Sequence, residues 1–253
     1  MVNVYSEKEI EILRQGGAIL SAALFKASSA VYAGVSTYEL NKIAEQTILK
    51  LGGRPAFLGY KEKGMKPYPA SLCTSINDEI VHCLPFKDRI LKDGDIIGLD
   101  LGVQFRGYYT DMAVTVAVGK VSDLAARLIE ATRKSLEAAI GVIRPGATIG
   151  DIGATIQKFA EPGGFGVIRD LVGHGVGRNL HEEPNIPNYG AFGTGIKLLP
   201  GMVLALEPMF SEKSSKIQML PDGWGIATAD GGLSAHFEKT VVVTKDGSAV
   251  LTP

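Results

Sequence analysis

The stretch Asp93–Gly119, DGDIIGLDLGVQFRGYYTDMAVTVAVG, decides how the rest of the chain is read. It holds two apolar, strand-like runs, Ile96–Val103 and Met112–Val118, joined by a turn around Arg106-Gly107. A strand that is apolar on both sides is a buried one. Yet each run carries one acid among aliphatic neighbours: Asp100 between Leu99 and Leu101, and Asp111 before Met112-Ala113-Val114. A buried carboxylate is costly unless a cation or several donors meet it. If the two runs pair as a hairpin, both carboxylates reach one face, where a metal ion would stabilise them together. The plainer alternative is two acids bonded to backbone donors at strand ends.

Outward from this hairpin, 253 residues suit one large α/β domain or two fused halves. The net charge of −1 advertises no polyanion-binding surface, so DNA is not an expected partner. The opening MVNVYSEKEIEILRQGG is charged and lacks the apolar segment of a signal peptide. No apolar run approaches the length of a membrane span. Cys73 and Cys83 are too few for a disulfide framework and read as reduced thiols. Together these features lead us to expect a soluble, cytoplasmic protein.

Ser6 with Glu9 forms a capping-box pattern ahead of an amphipathic helix through Leu13, Leu20 and Leu24, and Ser36 with Glu39 opens a second helix that ends at Gly52-Gly53. An irregular loop over 54–70 and a strand through Ala70–Ile76 follow. Beyond the hairpin, Ser122 caps a helix stopping at Gly141, and Thr148 with Asp151 caps another ended by Pro162-Gly163-Gly164. This order repeats. Gly34-Val35-Ser36-Thr37 parallels Gly146-Ala147-Thr148-Ile149, and Gly94–Asp100 parallels Gly201–Glu207. Asp111, at the head of its apolar run, parallels Glu238 before its own. Each acid of the first half thus has an acid counterpart in the second. Two αβ halves, approximately 1–120 and 121–253, are expected to face each other across a shared site within a single domain.

The four histidines sharpen this. His82 follows an apolar run, His174 sits in Gly173-His174-Gly175, His181 precedes Glu182-Glu183-Pro184, and His236 lies two residues before Glu238. The glycines beside His174 allow close approach of backbone and ligand to the ring, although Gly-His-Gly also suits a plain turn. Four carboxylates and an imidazole are too much charge for one open ion. They suit two divalent ions about 3.5–4 Å apart, bridged by carboxylates and a hydroxide. Oxygen-rich ligation with one nitrogen favours Mn, Fe, Co or Zn. Such a pair makes hydrolysis the natural reaction, with histidines outside the ligand set serving the oxyanion or the leaving group.

The order His82, Asp100, Asp111, His174, His181, Glu207, Glu238, set in SINDEIVHCLP, DLGVQFRGYYTDMAVT, GHGVGRNLHEEPNIPNYG, LALEPMF and HFEKTVVVT, resembles the methionine aminopeptidases of the bacterial type I form. The resemblance spans nearly the whole chain. It implies the pita-bread fold, an α/β (α+β) architecture of two pseudo-two-fold-related halves with antiparallel sheet. It also implies a monomer that removes the initiator methionine from nascent polypeptides whose second residue is small. By the same resemblance Asp100 would chelate one metal, Asp111 and Glu238 would bridge both, and His174 with Glu207 would complete the other shell. Glu207 would also handle the proton of the attacking water. His181 would bond the substrate amide or oxyanion, and His82 would lie near the scissile nitrogen. Trp224 resembles the tryptophan at the rim of the methionine pocket, and Tyr60 is a further pocket candidate. His236 has no counterpart role and reads as a core or surface histidine.

The chain departs from the family pattern in the loop Phe57–Tyr68, which is longer than in well-known bacterial members, and in Phe57 and Leu180, where cysteine and phenylalanine are frequent. These changes bear on the pocket's shape and leave the metal chemistry alone. Lys61, Lys63 and Lys66 of that loop suggest a transient ribosome contact, but three lysines are a thin signal and a solvated loop is the simpler reading. Two other functions share the fold: an Xaa-Pro aminopeptidase or prolidase, and a non-catalytic peptide- or RNA-binding protein. Prolidases usually carry an additional N-terminal domain, and non-catalytic relatives typically lose metal ligands, all of which stand intact here.

Overall fold

The computed structural model describes residues 2–61, 64 and 66–253; Lys63 lies outside them, while Lys61 and Lys66 are exposed. In the first half come α1 (Glu7–Ser29), α2 (Thr37–Lys50), β1 (Arg54–Pro55), β2 (Leu72–Ile76), β3 (Glu79–Val81), β4 (Ile96–Phe105) and β5 (Tyr108–Ala117). Then follow α3 (Asp123–Val142), α4 (Ile149–Ala160), β6 (Gly166–Val167), β7 (Val172–Gly175), β8 (Glu182–Pro187) and β9 (Val203–Leu206). The chain closes with β10 (Met209–Ser211), β11 (Ile217–Met219), β12 (Ile226–Thr228), β13 (Ser234–His236), β14 (Lys239–Val243) and β15 (Ser248–Val250).

The helices begin where their caps dictate. Glu9 accepts from the Ser6 amide at 2.8 Å and hydroxyl at 2.7 Å, and Glu39 accepts likewise from Ser36 at 3.0 and 2.7 Å. Thr148 and Asp151 exchange two such bonds, at 2.7 and 3.2 Å, and Ser122 accepts from the Ala125 amide at 3.1 Å.

The central hairpin turns on Arg106 and Gly107, both at positive φ (49° and 86°), which is the backbone a two-residue turn between twisted strands requires. Its strands run longer than the apolar runs suggest, to Phe105 on one side and from Tyr108 on the other, so Asp111 lies inside a strand instead of at its head. The register sets Asp100 opposite Ala113 and Gly102 opposite Asp111. Side chains alternate across a sheet, so both acids share one face. The other face, Ile97, Leu99, Leu101 and Val103 with Met112 and Val118, packs with Leu20, Leu24, Leu40 and Ile48 of α1 and α2. The second half repeats the scheme: Leu204, Leu206, Val241 and Val243 of β9 and β14 pack with Leu128, Leu136, Ile152 and Ile156 of α3 and α4.

β4 pairs with β5 on one edge and with β1 and β2 on the other. In the second half the sheet order is β15-β14-β9-β7-β8, and every pairing is antiparallel. Matching hydrogen bonds mark the internal repeat. Gly34 N and Leu91 N donate to Leu91 O and Val35 O; Gly146 N and Leu198 N donate to Leu198 O and Ala147 O. At the far ends, Gly94 and Val118 bond as Gly201 and Val243 do. This is the pseudo-two-fold, antiparallel α/β architecture expected from the sequence.

The halves meet along β5 and the segment 236–240. Ala113 and Glu238 exchange backbone bonds at 3.3 and 2.9 Å. On either side a threonine hydroxyl bonds both backbone groups of the facing residue: Thr240 those of Asp111, at 2.9 and 2.8 Å, and Thr115 those of His236, at 2.9 and 2.8 Å. The seam carries Asp111 and Glu238 side by side because their backbones are locked there. Nearby, Gly17 of α1 admits the C-terminal segment: a Cβ on it would stand 2.0 Å from Leu251 O.

Candidate metal centre and pocket

Asp100 (β4), Asp111 (β5), His174 (β7), Glu207 (after β9) and Glu238 (before β14) come from five places in the chain and meet at the seam. One oxygen each of Asp100, Asp111 and Glu238 lies within 4.8 Å of the other two. One atom each of His174, Glu207 and Glu238 forms a second such group, which shares Glu238 with the first. Asp111, His174 and His181 form a third. Asp100, Asp111, His174 and Glu238 are each 8% exposed or less, and Glu207 is somewhat more open.

Gly173-His174-Gly175 is not the turn that its glycines also allow. It is strand β7, whose residues pair with β8 and β9. A Cβ on Gly173 would stand 2.5 Å from Ala205 O, and one on Gly175 2.3 Å from Glu183 O. The glycines therefore let neighbouring strands close in on the imidazole. His174 Nδ1 lies 2.8 Å from Gly175 O. A carbonyl only accepts, so Nδ1 carries the proton and Nε2 keeps its lone pair for a ligand.

The electrostatics of the cluster are those of an uncompensated anionic site. Burial pushes Asp100 up to about 7, with Glu207 adding to the rise and His236 opposing it. Burial takes Glu207 up to about 8. Asp111 and Glu238 stand well above the carboxylate range, first from burial and then from the other acids. Burial lowers His174 to about 3 and His82 to about 4, with His181 adding to both. Among the described residues, no Lys or Arg pairs with these acids. Asp100 Oδ1 and Glu238 Oε1 are buried without a hydrogen-bond partner. Acceptors of this kind, all oxygen but for one imidazole nitrogen, fit divalent cations.

The cluster forms one wall of a cavity of about 650 Å³. His82, His181, Tyr60 and Trp224, all singled out from the sequence, line it. His82 holds φ at 61°, a left-handed conformation that costs roughly 1–3 kcal/mol and fixes its ring at the cavity. Tyr60 Oη is 2.7 Å from His181 Nδ1, and the His181 ring stands edge-on to His174 at 4.5 Å. Trp224 is buried in the apolar wall. It packs with Phe57, Tyr68, Cys73, Leu84 and Leu180, its ring edge-on to Tyr68 at 5.1 Å. Asp222 Oδ1 accepts from the amides of Trp224 and Gly225, both at 2.8 Å, and so fixes the turn that presents it. Phe57 enters over Gly102, where a Cβ would stand 2.7 Å from its ring.

Sequence reasoning missed Tyr68 and Cys73, which also line the cavity. Cys73 pairs directly with Asp100 across β2 and β4, a register that no sequence pattern announces. His236 is a core histidine, and its Nε2 lies 3.6 Å from Glu207 Oε2.

Buried acids from two like halves, converging beside an apolar pocket, define a metal-dependent hydrolase of the two-fold α/β type. Residues 11–245 match Metallopeptidase family M24, and the chain belongs to that family. Methionine aminopeptidase B of Synechocystis is 46% identical over 247 residues, covering 98% of this chain and 90% of that relative. Methionine aminopeptidase of Clostridium perfringens is 43% identical, covering 100% and 99%. The crystal structure of methionine aminopeptidase from Thermotoga maritima superposes with a TM-score of 0.95 at 41% identity, covering 100% of this chain and 99% of that one. A prolidase from Pyrococcus horikoshii, at 24% identity and a TM-score of 0.73, shares the fold alone; this chain covers 63% of it. No helix among the described residues is long and apolar enough to cross a membrane.

Proposed function

We infer that the protein is a metal-dependent aminopeptidase that hydrolyses the bond after an N-terminal methionine, acting on nascent chains and peptides with a small second residue. The observation that carries this is the juxtaposition of two overlapping ligand groups with an apolar-walled pocket. Full-length similarity to methionine aminopeptidases supports it, and the Xaa-Pro enzymes share only the fold.

Asp100, Asp111 and Glu238 would hold one divalent ion, and His174, Glu207 and Glu238 a second, with Asp111 beside both groups. The donor set suits Co, Mn, Fe or Zn. Such ions, when bound, polarise the scissile carbonyl and acidify a water. The remaining steps belong to the chain. Phe57, Tyr68, Leu180 and Trp224 receive the methionine side chain, with Tyr60 at the margin. His181, its Nδ1 facing Tyr60 Oη, presents Nε2 to the substrate carbonyl. Glu207, the most open of the four acids, takes a proton from water and returns it toward the leaving nitrogen, beside which His82 stands. Because ligands from both halves build one site, the chain works as a single catalytic domain. A substrate made at the ribosome makes a cytoplasmic monomer in transient contact with it the simplest arrangement.

The test is methionine release from Met-Ala-Ser, with Met-Pro and Ala-Pro peptides alongside, by chelator-treated protein supplied with Mn, Fe, Co or Zn in turn. Metal-restored methionine release is expected. Cleavage of only Xaa-Pro peptides would move the protein to the prolidase reaction, and silence with every metal from folded protein would remove the enzymatic reading.

A further inference from the structure

His236 is a buried titratable side chain at the acid cluster that the reaction above does not use. Its backbone is clamped: Thr115 Oγ1 accepts from His236 N at 2.9 Å and donates to His236 O at 2.8 Å. The ring is therefore held at one place, at the end of β13 and 3% exposed. Its Nε2 is buried and has no hydrogen-bond partner. Burial of such a group forfeits the hydrogen bond it would make to water, and nothing in the surrounding core returns it.

What Nε2 faces is Glu207. It lies 3.6 Å from Glu207 Oε2, while His174 Nε2 lies 3.6 Å from Glu207 Oε1. The carboxylate thus stands between two imidazoles, one to each oxygen. Closing the His236 side to a hydrogen bond needs a shift of about 0.7 Å. Contacts of catalytic groups are often this long before substrate and metal draw them in. We propose that His236 is a positioning residue: its Nε2–H donates to Oε2 of Glu207, stops the carboxylate from turning, and leaves Oε1 as the oxygen offered to the ligand cluster. This rests on the reading of Glu207 as a ligand and proton carrier.

The test compares two amides of different reach. In His236→Gln the side-chain nitrogen extends to where Nε2 lies; in His236→Asn it stops one bond short. Both variants and the wild type are stripped with chelator, their metal affinity is measured by titration calorimetry, and methionine release is followed separately. His236→Asn is expected to lose about 10–100-fold in metal affinity and in kcat/KM, the range for a residue that orients a ligand. His236→Gln is expected to recover most of both. Equal losses in the two variants would reduce His236 to a packing residue, and an unchanged His236→Asn protein would likewise overturn the proposal. If His236→Asn does not fold, His236→Met, which keeps bulk and lacks a donor, takes its place. Glu207→Gln separates the layers. An active, normally metal-binding Glu207→Gln protein overturns the reading of Glu207, whereas an inactive one beside an unaltered His236→Asn protein overturns only the positioning role.

Discussion

Removing the metal should make the protein lose stability as the pH rises from 6.5 to 8, the reverse of ordinary acid unfolding. Consider Glu207 alone. Burial raises its pKa from an ordinary 4.5 to about 8. Across this window the unfolded chain has already released that proton, while the folded, metal-free chain holds most of it until the pH nears 8. The native state binds more protons, so stability falls with pH. At about 1.4 kcal/mol per pH unit, the loss from Glu207 is about 2 kcal/mol. Asp111 and Glu238, also raised well above the carboxylate range, act in the same direction. The histidines explain the choice of window. His82, His174 and His236 are lowered and neutral in the fold, so below pH 6.5, where the unfolded histidines charge, they make stability rise with pH. Above 6.5 that opposing effect fades, because the unfolded histidines lose their charge as the pH passes their ordinary value. Urea unfolding of chelator-treated protein, followed by circular dichroism at several pH values in this window, measures the slope. Adding back a bound divalent ion should flatten or reverse it, because the ion stabilises the ionised acids. Stability of the metal-free protein that is flat or rising between pH 6.5 and 8 would refute the view of four crowded acids with no cationic side chain to compensate them.

Asp111→Ala and Glu238→Ala are each expected to cut methionine release by more than about 100-fold, since even residues behind the ligands change metal affinity or activity 10–100-fold. Wild-type-like turnover of either metal-replete variant would remove the shared-ligand assignment. Trp224→Ala takes away the aromatic that packs on Tyr68 and closes the apolar wall. A stability loss of about 3–5 kcal/mol in thermal unfolding is expected, together with a raised KM for Met-Ala-Ser. Gly17→Ala would drive a Cβ to 2.0 Å from Leu251 O and displace the C-terminal segment from α1. A cost of about 1–3 kcal/mol is expected, and an unchanged Tm would show that the segment yields freely.

The cluster of acids was legible for a local reason. A buried strand tolerates no unpartnered acid, so Asp100 and Asp111 stood out against Ile96–Val103 and Met112–Val118, and the internal repeat supplied Glu207 and Glu238 as their counterparts. The capping boxes at Ser6, Ser36 and Thr148 fixed the helix starts equally locally. The pocket was legible only in part. Trp224 is the only tryptophan and was easy to single out, but its burial was not readable, and nothing in the chain between Tyr68 and Leu180 says that they close one wall.

What the sequence by itself determined is therefore the kind of chemistry: acids placed where only a cation makes them tolerable, on strands whose alternation puts them on one face. What only the tertiary structure decided is which atoms meet. The threonines Thr115 and Thr240 set the register of the seam, and Cys73 lies across from Asp100. Glu207 falls between His174 and His236, a histidine that local pattern left as either core or surface. Those outcomes depend on contacts between segments far apart in the chain. Periodicity reports the face a residue occupies within its own strand or helix, and it is silent about which other face will be pressed against it.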